Sequence, residues 1–103
     1  MRVREVAAGR SGDKGDILDL TLVAVDDASY DRLAQWLTPQ AAGQLLAPVV
    51  PTEGIVRYDV PGLRALKFVL PVALPGGVYA SLRAGLHWQK AAIYVLLDAE
   101  MPG

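Results

Sequence analysis

The 103-residue sequence contains no cysteine and only one histidine, His87. The absence of cysteine excludes disulfide bridges and thiolate chemistry. A catalytic zinc site typically uses three protein ligands, usually including histidine, and this chain is poorly supplied with them. Carboxylates alone could still bind magnesium. We nevertheless predict no metal site and no cofactor, and we interpret His87 as structural rather than catalytic.

The sequence also lacks long apolar runs and blocks of like charge. No run approaches the roughly 18 apolar residues of a membrane-spanning helix. Ten basic and eleven acidic residues leave a net charge of -1, which argues against binding nucleic acid or anionic membranes. The first residues, Met1–Glu5, lack the apolar core of a signal peptide, so we predict a cytoplasmic protein. With 52% apolar residues, residues 1–103 are expected to form one globular domain.

Apolar residues recur with two distinct periods along the chain. Alternation with period two predicts strands at 17–25, 55–60 and 65–70, with 2–8 as a further candidate. Helical spacing after the capping segment 26–29 predicts one amphipathic helix, with Tyr30, Leu33, Ala34 and Leu37 on its inner side. Thr38 and Pro39 are typical of an N-cap and first helical residue, so a second helix is predicted from there to about Leu46. The ambiguous segment 78–88 carries no assignment, and the apolar run 91–97 fits either a strand or a helix.

One stretch concentrates flexibility and charge. Residues 9–16 hold three glycines, two cations and two carboxylates, and we predict a loop that joins two paired strands. The candidate ligand-binding or interface residues are Arg10, Ser11, Gly12, Asp13, Lys14, Gly15 and Asp16.

Two interpretations of this stretch are open. Glycines at 12 and 15 permit positive φ, so backbone N–H groups could converge on an anion beside the Arg10 guanidinium. Alternatively, Asp13 and Asp16 cap the stretch's own N–H groups and pair with its cations. A second anion contact or a plain surface turn is expected further along the chain, with Gly76, Gly77, Ser81 and Arg83 as the candidates.

The order of elements is strand, strand, helix pair, strand, strand and final helix. Moving the last strand of a ferredoxin-like sandwich to the N-terminus produces this order. We therefore predict an α+β, ferredoxin-like sandwich: a four-stranded antiparallel sheet, permuted as ββαββα, with its helices on one face. The other face is expected to be partly covered by another chain, since it mixes polar and apolar side chains, namely Arg57, Asp59, Lys67, Asp19, Thr21, Ile55 and Val69.

Two motifs carry a resemblance to a known family. The stretch 10–16 (RSGDKGD), followed by 57–70 (RYDVPGLRALKFVL), resembles the AtuA-like ferredoxin-fold domain, and the segments 73–77 and 81–83 continue the match. The resemblance supports a helix over 91–97. The chain departs from the family pattern where asparagine is usual, at Asp19 and Lys67, and where a third glycine is usual, at Pro75.

The resemblance implies a role beside a larger chain. In this family the domain is the C-terminal part of acyclic-terpene-utilisation proteins, or a small separate protein beside a larger partner. It implies an accessory or binding domain for a larger AtuA-type chain in bacterial catabolism of acyclic terpenes or related acyl-CoA compounds. The domain is then not an enzyme on its own, although it could bind an anion such as a CoA thioester.

Two alternatives follow from the same residues. One is an independent enzyme acting on an acyl-CoA or small acid, with Asp13 or Asp16 as general base and Lys14 or Arg10 stabilising an oxyanion. The other is a structural module that forms homo-oligomers.

Overall fold

The described part of the chain forms one antiparallel sheet with helices packed on one side. A computed structural model describes residues 1–14, 17–71 and 91–102. The strands are β1 (Ala7–Lys14), β2 (Ile17–Ala24), β3 (Val56–Val60) and β4 (Ala65–Pro71), and two helices are α1 (Asp27–Trp36) and α2 (Pro39–Leu46). A third helix, α3, is described over residues 91–98. In the described ranges, none of these helices has the length and apolar character needed to cross a membrane.

The sheet order confirms the predicted permutation. The strands lie in the order β1-β2-β4-β3, and each neighbouring pair is antiparallel. The first strand therefore takes the position that the last strand occupies in the unpermuted ferredoxin-like sandwich. Residues 91–98 are helical, as the resemblance had implied, although β-branched residues in this run are also common in strands.

The core lies between one face of the sheet and the three helices. In β2 the alternation predicted from sequence is realised, since Leu18, Leu20 and Leu22 are at most 1% exposed. The other core side chains come from β4 and the helices, among them Leu66, Phe68, Leu70, Leu33, Leu37, Ala42, Leu46, Ala92 and Leu96. Both central strands thus contribute one face each to the same apolar layer.

The first two helices begin where their capping residues predict. The Asp26 side chain accepts a hydrogen bond from the Ser29 N–H at 2.8 Å. The Thr38 hydroxyl accepts one from the Ala41 N–H at 3.1 Å, and Pro39 is the first residue of α2. These caps satisfy N–H groups that the first helical turn leaves without partners.

The prediction of a loop over residues 9–16 is wrong for most of that stretch. Residues Gly9 to Lys14 belong to β1, whose pairing with β2 runs from Ala7 opposite Ala24 to Lys14 opposite Ile17. The predicted strand at 2–8 begins instead with a short 3-10 turn, Val3–Glu5. Charged and small residues resemble a loop in sequence, but an edge strand with one solvated face accepts them.

Gly9 has a packing role in this strand. A Cβ atom built at Gly9 would lie 2.9 Å from Ile93 Cγ1 and 3.1 Å from Leu97 Cδ1, both on α3. Such distances are too short for carbon atoms, which optimally lie about 3.5–4.0 Å apart. Gly9 therefore allows α3 to pack directly on β1. Gly12 has more room, because its Cβ would lie 3.7 Å from the Asp19 carboxylate oxygens.

We expect Gly9→Ala to lower the free energy of unfolding by about 1–3 kcal/mol, the usual cost of overpacking a core. Gly12→Ala is the matched control on the same strand, and it should be neutral or slightly stabilising because alanine restricts the unfolded chain. Urea unfolding of both variants measures the difference. Equal stabilities would show that α3 does not pack on β1 as closely as described.

The Asp26 cap predicts a dependence of stability on pH. Hydrogen bonds from the side chain and the backbone N–H of Ser29 lower the pKa of Asp26, and the nearby Arg64 charge acts in the same direction. Because the pKa is lower in the folded state, the stabilisation is complete above the unfolded value of about 3.9. It is lost as the pH falls through the folded pKa.

The variant Asp26→Asn distinguishes the effect of the Asp26 charge from the effect of the capping hydrogen bond. Asparagine caps a helix about as well as aspartate but does not titrate. We expect the variant to lose less stability than the wild type when thermal unfolding is followed from pH 5 downwards. Identical pH profiles for the two proteins would contradict a contribution from Asp26.

Candidate functional site

The helix-free side of the sheet carries the main candidate residues. We call it the open face; no helix of the described chain packs on it. Strand register forms three rows of residues that cross all four strands on this face, in the order β1, β2, β4 and β3: Ala8, Val23, Ala65 and Val60; Arg10, Thr21, Lys67 and Tyr58; Gly12, Asp19, Val69 and Val56.

The residues of the predicted site are divided between the two faces of the sheet. Arg10 and Gly12 lie on the open face, opposite Thr21 and Asp19. Ser11 lies opposite the buried Leu20 and therefore on the helix side, since successive residues of a strand face opposite ways. Side chains of Arg10 and Ser11 thus do not converge on one ligand.

The glycine cradle expected at residues 12 and 15 is not formed at Gly12. Among the described glycines, only Gly54 has a positive φ. The N–H groups around Gly12 therefore have extended-strand geometry rather than the concave arrangement that binds anions. Gly15 and Asp16 lie outside the described residues, as do Gly76, Gly77, Ser81 and Arg83. Their roles in ligand binding stay predictions, and so does the general-base role of Asp13 or Asp16.

The two motifs that carry the family resemblance meet on β2. Arg10 comes from the first motif and Lys67 from the second, and both lie opposite Thr21, on its two sides. Adjacent strands are about 4.8 Å apart, so the Cα atoms of the two cations are separated by roughly 10 Å, with the Thr21 hydroxyl between them. Sequence alternation places Thr21 and Lys67 on this face, but it does not show that Arg10 is their neighbour.

The two family-atypical residues of the open face are partners of each other. Lys67 Nζ lies 3.8 Å from the Asp19 carboxylate, and both side chains are partly exposed. The resemblance leads us to expect asparagine at both positions, and here opposite charges stand there. Such exposed pairs contribute at most about 1 kcal/mol.

The face assignment of β3 from its alternation is wrong. Val56, Tyr58 and Val60 were expected to face the core and Arg57 and Asp59 to lie on the other side. The structure has the reverse, because Tyr58 is 55% exposed and Val56 is 44% exposed. Arg57 instead lies opposite the buried Phe68, on the helix side. Ile55, expected on the outer face, packs against the core.

Arg57 faces the helices because it caps the C-terminal end of α1. Its guanidinium donates to the carbonyl oxygens of Ala34 at 2.7 Å and Leu37 at 3.0 Å. It also makes two contacts to the Asp59 carboxylate, at 2.8 and 3.0 Å. The last turn of α1 has no basic residue of its own, so the strand supplies the positive charge that a helix C-terminus favours.

The other end of α1 is held by the turn between β3 and β4. Arg64 Nε lies 2.7 Å from the Asp27 carboxylate at the start of the helix, and that carboxylate raises the pKa of Arg64. Arg64 follows the short 3-10 turn Pro61–Leu63 and has a left-handed φ of 53°. Arg57 and Arg64, both from the motif 57–70, therefore hold α1 against the sheet at its two ends, which is a structural role.

The described residues form no metal-binding cluster, and a described cleft lies away from the open face. No group of three or more histidine or acidic side chains there is placed to bind a metal ion. One described cleft, of about 590 Å³, lies between α2 and the segment before β3, lined by Gln40, Gly43, Gln44, Thr52 and Ile55. No charged side chain lines it, so nothing there marks a catalytic centre.

We expect Arg57→Ala to destabilise the fold by about 1.5–3 kcal/mol, because hydrogen bonds to charged groups contribute this much and two helix carbonyls lose their donor. Arg57→Lys should recover part of the loss, since an ammonium can bond a carbonyl but lacks the guanidinium's fork. Denaturant unfolding gives both values. A loss below 0.5 kcal/mol for Arg57→Ala would contradict the capping role, as ordinary surface substitutions fall within about that range.

Comparison with known proteins agrees with this architecture. The sequence matches the AtuA ferredoxin-like domain over residues 1–102. No curated protein and no solved structure matches it. The match spans almost the whole chain and includes both motifs that meet on β2, so this chain belongs to the AtuA ferredoxin-like domain family.

Proposed function

We propose that this domain is an accessory, partner-binding domain that works with a larger AtuA-type chain. The pathway is bacterial catabolism of acyclic terpenes or related acyl-CoA compounds, as the family's association suggests. The observation that carries the proposal is the open face, where large apolar side chains are exposed near one another on the sheet.

The composition of the open face supports contact with another protein. Tyr58, Val56, Val60 and Val23 are each at least 39% exposed, and they lie among polar and charged residues. Contiguous apolar surface of this kind marks interaction sites in soluble proteins. Tyrosine is also enriched among the residues that dominate binding energies at protein interfaces.

The family membership supports the identity of the partner. The domain type is named for AtuA, and proteins with this motif occur either fused to a larger AtuA-type chain or as separate small proteins. A separate domain would keep the contact surface that the fused domain uses within one chain. The exposed face of the sheet is then the surface that the larger chain covers.

The test is co-expression of this chain with a larger AtuA-type chain, affinity capture and measurement of the complex mass. We expect a stable complex, and we expect Tyr58→Ala to weaken it about tenfold or more, as for a tyrosine at the centre of an interface. Tyr94→Ala is the matched control, because Tyr94 is 50% exposed on α3, away from the open face.

Three results would count against the proposal. The first is the absence of any complex with the wild-type chain. The second is equal weakening by the two tyrosine variants, which would move the contact away from the open face. The third is turnover of an acyl-CoA or small acid by this chain alone, which would favour the independent enzyme instead.

A further inference from the structure

The middle row of the open face combines two cations with a hydroxyl group. Arg10, Thr21, Lys67 and Tyr58 lie directly opposite one another across all four strands. The two cations flank Thr21, whose side chain is a hydrogen-bond donor as well as an acceptor. Together these three residues form a short positive strip on an otherwise mixed surface.

Arg10 differs from the other cations of the described chain. Arg2, Arg4, Arg57, Arg64 and Lys67 each have a carboxylate partner, and Arg32 donates to the Pro102 carbonyl oxygen. The Arg10 guanidinium has neither an ion pair nor a hydrogen bond among the described groups, which do not include the side chains of residues 13–16. Because Lys67 already neutralises Asp19, the described side chains of the open face carry one uncompensated positive charge.

If another protein covers the open face, Arg10 needs a negatively charged partner, because its neighbours on that face are largely apolar. The flanking rows contain Val23 and Val60 on one side and Val56 and Val69 on the other. A protein that covers these apolar side chains also removes water from Arg10. Burying a charge without a counter-charge is costly, whereas a matched carboxylate offsets the loss of hydration.

The shape and charge of the strip favour a protein surface as its occupant. Small ligands are usually held in concave pockets, but a sheet face presents its side chains next to one another over four strands. A second copy of this chain would bring a second Arg10 and a second Lys67, while each Asp19 is already paired. A partner protein surface that supplies a carboxylate fits both the flat shape of the strip and its positive charge.

We infer that the open face recognises an acidic group on the larger partner chain, with Arg10 and Lys67 binding a carboxylate that sits over Thr21. Arg10 can bind a carboxylate through two N–H groups, and Lys67 adds a point charge. Electrostatic recognition of this kind selects the partner and sets its orientation. This inference rests on the proposed function, because it names the chemistry of the same contact.

The test is a titration of this chain against a larger AtuA-type chain at about 50 and 300 mM salt. We expect wild-type affinity to fall as salt rises, since ions screen exposed charges beyond a Debye length. Arg10→Glu should weaken binding at least tenfold at low salt, because it places like charges opposite each other. Lys67→Gln should also weaken binding, because it removes one cation and leaves the Asp19 carboxylate unpaired beside the acidic group. The loss should be smaller than for Arg10→Glu, which reverses a charge.

The matched control is Arg32→Glu, which makes the same charge change on α1, away from the open face. Its affinity for the larger chain should stay within about twofold of wild type, because Arg32 lies outside the proposed contact. Both variants change the net charge of the chain equally, so a difference between them reports on the position of the charge. Thermal unfolding of each variant confirms folding. Arg10→Glu should melt near the wild-type temperature, because the Arg10 side chain is exposed and its guanidinium has no partner among the described groups.

The outcomes distinguish this inference from the proposed function. A wild-type complex that is insensitive to salt and to Arg10→Glu overturns the acidic contact and leaves the accessory role intact. The absence of any wild-type complex overturns both. A salt-sensitive dimer of this chain alone, dissociated by Arg10→Glu, would place a second copy on the face and overturn the acidic-partner inference.

Discussion

The structure depends on the burial of one face of the sheet by all three described helices. Along β2 the residues Leu18, Leu20 and Leu22 are almost completely buried, and this central strand pairs with β1 on one side and β4 on the other. Side chains alternate along a strand, so fixing this face toward the helices also fixes which residues lie on the opposite side. The open face is a direct consequence.

The charged residues of the two family motifs do not all have the same physical role. In the second motif, 57–70, Arg57 and Arg64 hold the two ends of α1 and serve the fold, whereas Lys67 lies on the open face. In the stretch 10–16, Arg10 is exposed on the open face, and its guanidinium has no ion-pair or hydrogen-bond partner among the described groups. Gly9, just before the motif, allows α3 to approach β1. Charge in a motif is therefore not by itself evidence of a binding site.

Much of the fold could be predicted from periodicity and capping residues. Strands β2 and β4 show clear alternation, α1 shows a 3.6-residue stripe, and Thr38 with Pro39 marks the start of α2. These signals are local, since each depends only on neighbours within one element. The candidate site was less predictable, because the distance between Arg10 and Lys67 depends on how strands far apart in sequence pair with β2.

The sequence by itself determined the types of most elements, the α+β class and the permuted order, since these follow from local patterns and from the family resemblance. Only the tertiary structure decided that residues 9–14 form a strand and that β3 presents its apolar residues outward. The first depends on pairing with β2, which supplies backbone hydrogen bonds to a segment of low strand propensity. The second depends on α1, because the Arg57 guanidinium donates hydrogen bonds to carbonyl oxygens at the C-terminal end of this helix. With Arg57 on the helix side, Val56, Tyr58 and Val60 lie on the exposed side of β3.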